Sequence, residues 1–212
     1  MISFIFISHL LAMDFKVGEG SSFALKTEGK TVDLNIYVAA REKKSLSVEM
    51  HFGAGGIFPF NMWQQFQFNF KENRPISISK GYILAKENKT PEIMPKELFK
   101  QNQGIQVQDF LFSKQSEFSK FFVGDELVEA PAGTFVAKHF KRSRKGQIVD
   151  FWISEEVGPI GLVKLISTSE SKSSQNYSVE LKSLLKRVRP TINPEDATEI
   201  SKESRAIFIT NN

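Results

Sequence analysis

DELVEAPAGTFVAKHFKRSRKGQIVDFWISEEVGPIGLVKLIS, residues 125–167, is the stretch on which the fold turns. An alternating apolar/polar run meets Pro131-Ala132-Gly133, and a second run follows it. A basic tip with Lys141, Arg142, Arg144 and Lys145 turns the chain into a third run that ends in Phe151, Trp152 and Ile153. Gly158-Pro159-Ile160-Gly161 is a corner that opens the next strand. Reversal every roughly eight to twelve residues marks a strand meander. The stretch holds no nucleophile–base pair, no metal-ligand cluster and no phosphate loop. It therefore speaks to architecture before activity.

Upstream the same period of two continues. Val32, Leu34, Ile36 and Val38 alternate with Asp33, Asn35 and Tyr37, and Leu46, Val48, Met50 and Phe52 with Ser47, Glu49 and His51. Met62, Phe66, Phe68 and Phe70 alternate with Trp63, Gln65, Gln67 and Asn69, and Ile76, Ile78, Tyr82 and Leu84 extend the series. Successive strand residues point to opposite faces, so each run buries one face and wets the other. Turn signals at Glu28-Gly29-Lys30, Lys43-Lys44-Ser45, Gly53-Ala54-Gly55-Gly56 and Asn73-Arg74-Pro75 separate the runs, which makes neighbours antiparallel.

Residues 88–104 interrupt the pattern. Pro95 opens a two-turn helix candidate over 96–102 that Gly104 would end, and a strand is expected over 105–112. Residues 116–122 form a second helix candidate, with Ser116 as cap and Phe118, Phe121 and Phe122 on one face. Both helices are placed to cover one side of a sheet. A last strand is expected over 176–185, after a Ser-rich loop. From Pro190 the composition turns polar, with little to bury, and order is expected to be poor.

Length and composition fit one large β domain. The 212 residues are 41% hydrophobic and 25% charged, enough apolar material for a sizeable core. Twenty Phe stand against three Tyr and two Trp. Phe adds apolar surface without needing a hydrogen-bond partner, so this excess suits either a thick core or an apolar cavity. The net charge is +4, and the densest basic cluster, Lys138 to Lys145, falls at a hairpin tip. Solvated charges are ordinary there, and no basic stripe with interleaved aromatics calls for nucleic acid. Cysteine is absent, which excludes disulfides, thiolate metal sites and a lipid-modified N-terminal Cys.

Residues 2–13, ISFIFISHLLAM, are a nearly continuous apolar run. It is too short for a bilayer span, which takes about twenty residues. Its length is that of a signal-peptide core, although the basic start and a good cleavage site are missing. The run is read as a leader, with a first strand as the alternative. The domain reading is 1–13 leader, 14–189 one β-rich domain, and 190–212 polar tail.

The candidates for chemistry are few. His51 and His139 each lie on an expected strand with no second ligand at metal spacing, so no metal and no cofactor is expected. The glycines at 53–56 lack the Gly-Lys-Ser/Thr ending and the helix of a phosphate loop and read as a turn. The carboxylates Asp125, Glu126, Glu129, Asp150, Glu155 and Glu156 show no spacing that selects a catalytic pair. What stands out is apolar surface. Phe52, Met62, Phe66, Phe68 and Phe70 share one side of the sheet, and Phe118, Phe121 and Phe122 would lie over it. A sheet of about ten strands tends to curl, and its inner side is filled either by packed side chains or by a lipid-like ligand.

Gly124-Asp125-Glu126-Leu127-Val128, Pro131-Ala132-Gly133-Thr134-Phe135, Asp150-Phe151-Trp152-Ile153-Ser154 and Gly161-Leu162-Val163-Lys164 resemble a group of bacterial envelope proteins with the lipoprotein-carrier fold of the LolA/LolB-like superfamily. The resemblance is clearest over 124–185. It implies a mainly β fold: a single curved antiparallel sheet, a half-barrel, with short helices over its concave face, located in the periplasm or envelope of a Gram-negative bacterium. Carriers of that group bind lipoprotein acyl chains in the hollow. The chain is thus expected to be a non-enzymatic exported protein that binds a lipid or acyl chain. The alternative is an envelope module with a solid core and a protein partner.

Overall fold

Alternating runs become strands where the chain can pair them. The structure is a computed structural model and describes residues 16–55, 59–71, 74–85, 90–96, 118–144, 146–169 and 176–201. Among these lie β1 (Gly20–Thr27), β2 (Lys30–Arg41), β3 (Ser45–Phe52), β4 (Met62–Lys71), β5 (Arg74–Leu84), β6 (Glu92–Ile93), β7 (Phe122–Ala130), β8 (Gly133–Arg144), β9 (Gln147–Ile153), β10 (Leu162–Ser169), β11 (Tyr177–Leu185) and β12 (Thr198–Glu199). They form one sheet in the order β12-β6-β5-β4-β3-β2-β1-β11-β10-β9-β8-β7. β12 runs parallel to β6, and the other neighbours are antiparallel. Two meanders, β1–β5 and β7–β11, are joined where β1 pairs with β11.

Register sorts the side chains onto two faces. On the inner face Phe140, Phe151, Leu165, Val179 and Leu25 stand opposite one another on successive strands. The first four are buried in one cluster with Phe23, Leu34, Phe66 and Phe68 from the other meander. On the outer face the matching row is His139, Trp152, Lys164, Glu180, Ala24 and Asp33. Its middle is a ladder of charges, with Lys164 and Lys26 at 4.0 and 3.8 Å from Glu180 and Lys182 at 2.6 Å from Asp33.

The sheet curls without closing. β7 returns to touch β10 and β11, yet β7 and β12 remain the outermost strands among the described residues. The corner between β9 and β10 is buried, with Val157 and Ile160 in the core cluster. Ser21 Oγ donates to the Gly158 carbonyl at 2.5 Å, which pins this corner to β1.

The helix cover differs from expectation where it is described. Phe118 and Ser119 are helical, Lys120 and Phe121 turn, and Phe122 already belongs to β7. Pairing of Phe122 with Phe140 and of Gly124 with His139 draws the end of the expected helix into the sheet. Beyond Lys96, the candidate helix over 96–102 and the strand over 105–112 lie outside the described residues, as does the run at 2–13.

One strand pair outlasts its neighbour. β9 pairs with β8 only from Lys138 to Arg144, while β7 pairs with β8 down to Gly133. Past Lys138 the hairpin is a two-stranded ribbon, the form that twists most strongly. Burial switches sides accordingly. Phe135 and Ala137, with Val128 opposite Phe135, lie on the same side of the strand as the outer-face His139 by alternation, yet they are buried in the core cluster. Leu127 and Val136, on the reverse side, are 75% and 61% exposed.

Candidate functional site

The apolar residues singled out in the sequence gather around one core. Phe52 stands opposite Met62, and Phe66 and Phe68 stand opposite Val48 and Leu46. Met62, Phe66 and Phe68 keep only 6%, 7% and 2% of their surface exposed, so protein already covers them. Phe52 packs partly buried against the same cluster. Phe70 lies in β4, with its side chain outside the described residues. The Phe118 ring meets Phe140 at 5.7 Å and Phe151 edge-on at 5.4 Å. Phe121 packs partly buried on the core, with Lys120 Nζ 5.0 Å and Arg142 Cζ 5.7 Å from its ring centre. Phe122 touches Phe140 edge-on at 5.8 Å but is 46% exposed.

The outer face carries a polar cluster that spacing alone did not reveal. His139 on β8 directs Nδ1 to Glu126 Oε1 and Nε2 to Asp150 Oδ1, both at 2.8 Å. Trp152 Nε1 donates to the other Glu126 oxygen at 2.8 Å, and its ring stacks on His139 at 4.4 Å. Lys141 stands 3.6 Å from Asp150. A neutral imidazole has one N–H, so only the imidazolium donates to both carboxylates. The Trp152 indole, and after it His139, hold the Glu126 carboxyl below its ordinary 4.5. The signal that finds this cluster is cross-strand register: His139 lies opposite both Gly124 and Trp152. Among the described residues no group of three or more His, Cys, Asp or Glu is placed to hold a metal ion.

A second locus sits on the same face in the first meander. Glu49 is 0% exposed. Its Oε1 accepts from the Tyr37 hydroxyl at 2.5 Å and the Thr191 amide at 2.9 Å. Its Oε2 accepts from Gln65 Nε2 at 2.9 Å and the Ile192 amide at 3.1 Å. Gln65 also donates to the Ile192 carbonyl at 3.1 Å. Ile192 is buried against Trp63, Tyr82 and Leu84, and β12 follows onto β6. The polar segment after Pro190 is thus held on the sheet through its backbone and one side chain. A tail read by composition shows little to bury, because its grip depends on a glutamate far upstream. Burial, then the Glu49 charge, push the Tyr37 hydroxyl well above its ordinary value. His51, beside this locus, stacks on Trp63 at 4.5 Å.

These features define an open, curled antiparallel-sheet protein with two polar loci on its outer face and an apolar ribbon at one edge. No family model matches the chain and no curated protein does. Solved structures resemble it at low identity. The crystal structure of MucB is 12% identical, over 91% of this chain and 61% of that one, with a TM-score of 0.41. The Pseudomonas aeruginosa MucA/MucB complex gives 11%, 92%, 62% and 0.46 for the same quantities. A protein with a YmcC-like fold from Bacteroides fragilis gives 16%, 80%, 96% and 0.41. The chain spans about three fifths of the MucB chains it matches.

Proposed function

We propose that this chain is a non-catalytic protein-interaction module of the bacterial cell envelope, and that its contact surface is the ribbon of β7 and β8. The observation that carries this reading is the cross-strand pair of Leu127 and Val136, 75% and 61% exposed on a ribbon whose other side is in the core. Phe122 and Val123, at 46% and 56% exposure, extend the apolar surface along β7. Full burial of such a side chain contributes about 1.5–3 kcal/mol, so a partner that covers the pair gains from both. β7 is outermost among the described residues, and an extended segment adds to such an edge through main-chain hydrogen bonds. Asp125, Glu126 and Glu129 on β7 would face like charges on a second copy of the strand. They fit a partner segment that carries Lys or Arg among aliphatic residues. The envelope location rests on the resemblance over 124–185 and the apolar run at 2–13.

A photo-crosslinking residue at 127 or 136, in cells of the source organism, is expected to capture one discrete protein. The same residue at 43 or 44, in the exposed turn between β2 and β3, is expected to capture none. Equal labelling from both places would remove the ribbon from consideration.

Acyl binding is the second reading, supported at the rim of the core. Phe118 and Phe121 are only partly buried, and two cations flank the Phe121 ring. An apolar rim beside positive charge suits an anionic amphiphile such as a fatty acid or lipoprotein acyl chain. Native mass spectrometry would show a bound lipid that Phe121→Glu removes. No added mass, together with no response from a fluorescent fatty acid, would count against this reading.

A further inference from the structure

The groove around Glu49 is built to recognise an extended peptide. A fully buried carboxylate accepts two successive backbone amides, Thr191 and Ile192. Gln65 bridges that carboxylate to the Ile192 carbonyl, and Trp63, Tyr82 and Leu84 enclose the Ile192 side chain. Such a site reads main chain and one aliphatic residue, whichever molecule supplies them. Here the supplier is the chain's own segment after β11, reached through a sharp turn. Arg187 takes φ 60, a left-handed conformation that costs a residue with a Cβ roughly 5- to 30-fold in population. Val188 donates to the Gly18 carbonyl at 3.0 Å, so close to Gly18 that a Cβ there would lie 2.7 Å from the Val188 oxygen.

We propose that this groove is a peptide-docking site which the C-terminal segment of a second copy occupies by exchange. Every contact of the closed form at Glu49, at the Ile192 pocket and between β6 and β12 is reproduced when two copies trade tails. The closed form alone requires the left-handed turn at Arg187, since an exchanged tail leaves β11 extended. Short hinges under strain favour exchange of this kind. Association entropy opposes it, so the balance moves with concentration.

Two full-length variants test the proposal by complementation. Glu49→Gln spoils the groove and keeps the tail, because an amide NH2 replaces one acceptor. Ile192→Ala spoils the tail and keeps the groove. Mixed at equal concentration, they are expected to form a heterodimer in native mass spectrometry, in excess of either variant's homodimer. In the otherwise unaltered chain, Arg187→Val is expected to raise the dimer association constant roughly 25- to 900-fold over Arg187→Gly, because each dimer relieves two such turns, and Gly adopts positive φ without strain while a β-branched residue does not. The proposal is overturned if the wild-type chain sediments as a monomer at every concentration and Arg187→Val behaves as Arg187→Gly. That outcome holds whether or not the groove variants fold.

Discussion

Glu49 and Glu126 occupy the same face of one sheet, each near a His ring stacked on the Trp directly across from it. They differ in what passes overhead. The segment around Ile192 covers Glu49, leaves it 0% exposed and fills both its oxygens with four donors. Glu126 keeps 43% of its side chain exposed and, among the described residues, receives Trp152 and His139. The same residue type therefore serves as a structural anchor in one meander and as part of a solvated surface in the other. The lesson is that cover, more than residue type, sets what a strand carboxylate does, because loss of water makes each hydrogen bond to it harder to replace.

The largest expected effect follows from that difference. Glu49→Ala leaves the Thr191 and Ile192 amides, the Tyr37 hydroxyl and one of the two Gln65 N–H groups without an acceptor in a buried place, and each such loss costs about 1–3 kcal/mol. Urea unfolding measures it directly. Glu126→Gln, read in the same experiment, is expected to leave the midpoint nearly unchanged. Equal losses for the two variants would erase the contrast. Ile192→Ala comes next. Truncation of a buried Ile costs about 2–5 kcal/mol, and the lower end is expected for a segment that can lift away from the sheet. Trp63 emission should shift to the red as its cover loosens, with Trp152→Phe used to isolate the signal.

A smaller effect separates the two regions by pH. The Tyr37 hydroxyl is held protonated by burial and by the Glu49 charge, and burial also raises Tyr177. The unfolded chain ionises these tyrosines near 10.0, while the folded chain keeps their protons. Above that pH the folded state binds more protons than the unfolded one, so stability is fully present below pH 10.0 and falls as pH rises beyond it. Tyr37→Phe is expected to lower the unfolding free energy at pH 8 by about 1 kcal/mol through the lost hydrogen bond, and to make the alkaline decline shallower. A decline as steep as that of the unaltered chain would mean that burial and the Glu49 charge do not hold the Tyr37 proton in the folded state.

Sequence reading reached the strands because their faces differ. Val32, Leu34, Ile36 and Val38 alternate over what is β2, and the expected last strand over 176–185 is β11 within one residue. The turn at Pro131-Ala132-Gly133 likewise separates β7 from β8. The curl joining both meanders in one core was legible as a tendency of large sheets. The polar loci were not. Glu126, His139 and Trp152 meet only through strand register, and Ile192 stands between polar neighbours in a mostly polar segment. Nothing local marks Glu49 as different from the other strand carboxylates, since the two tail amides that cover it lie more than a hundred positions away. The two-sided ribbon was hidden for a related reason. Leu127 and Val128 read as ordinary strand neighbours until it is known that β9 stops at Ile153 and leaves the hairpin tip to twist.

The smallest expected effect lies at Glu126 itself. Its carboxyl is held below 4.5 first by the Trp152 indole N–H and then by His139. The sign is that of a depressed acid: the folded state gains above the unfolded value and loses that gain as pH falls through the folded one. The site is solvated, so screening keeps the gain in stability small, and the titration is a better readout than the unfolding midpoint. A carbon-detected NMR titration of the Glu126 side chain should give a midpoint below 4.5, and Trp152→Phe should move it upward by removing the first of its two donors. If Trp152→Phe leaves the midpoint in place, the indole contributes packing alone. The contrast with Glu49 then reduces to the presence or absence of the tail.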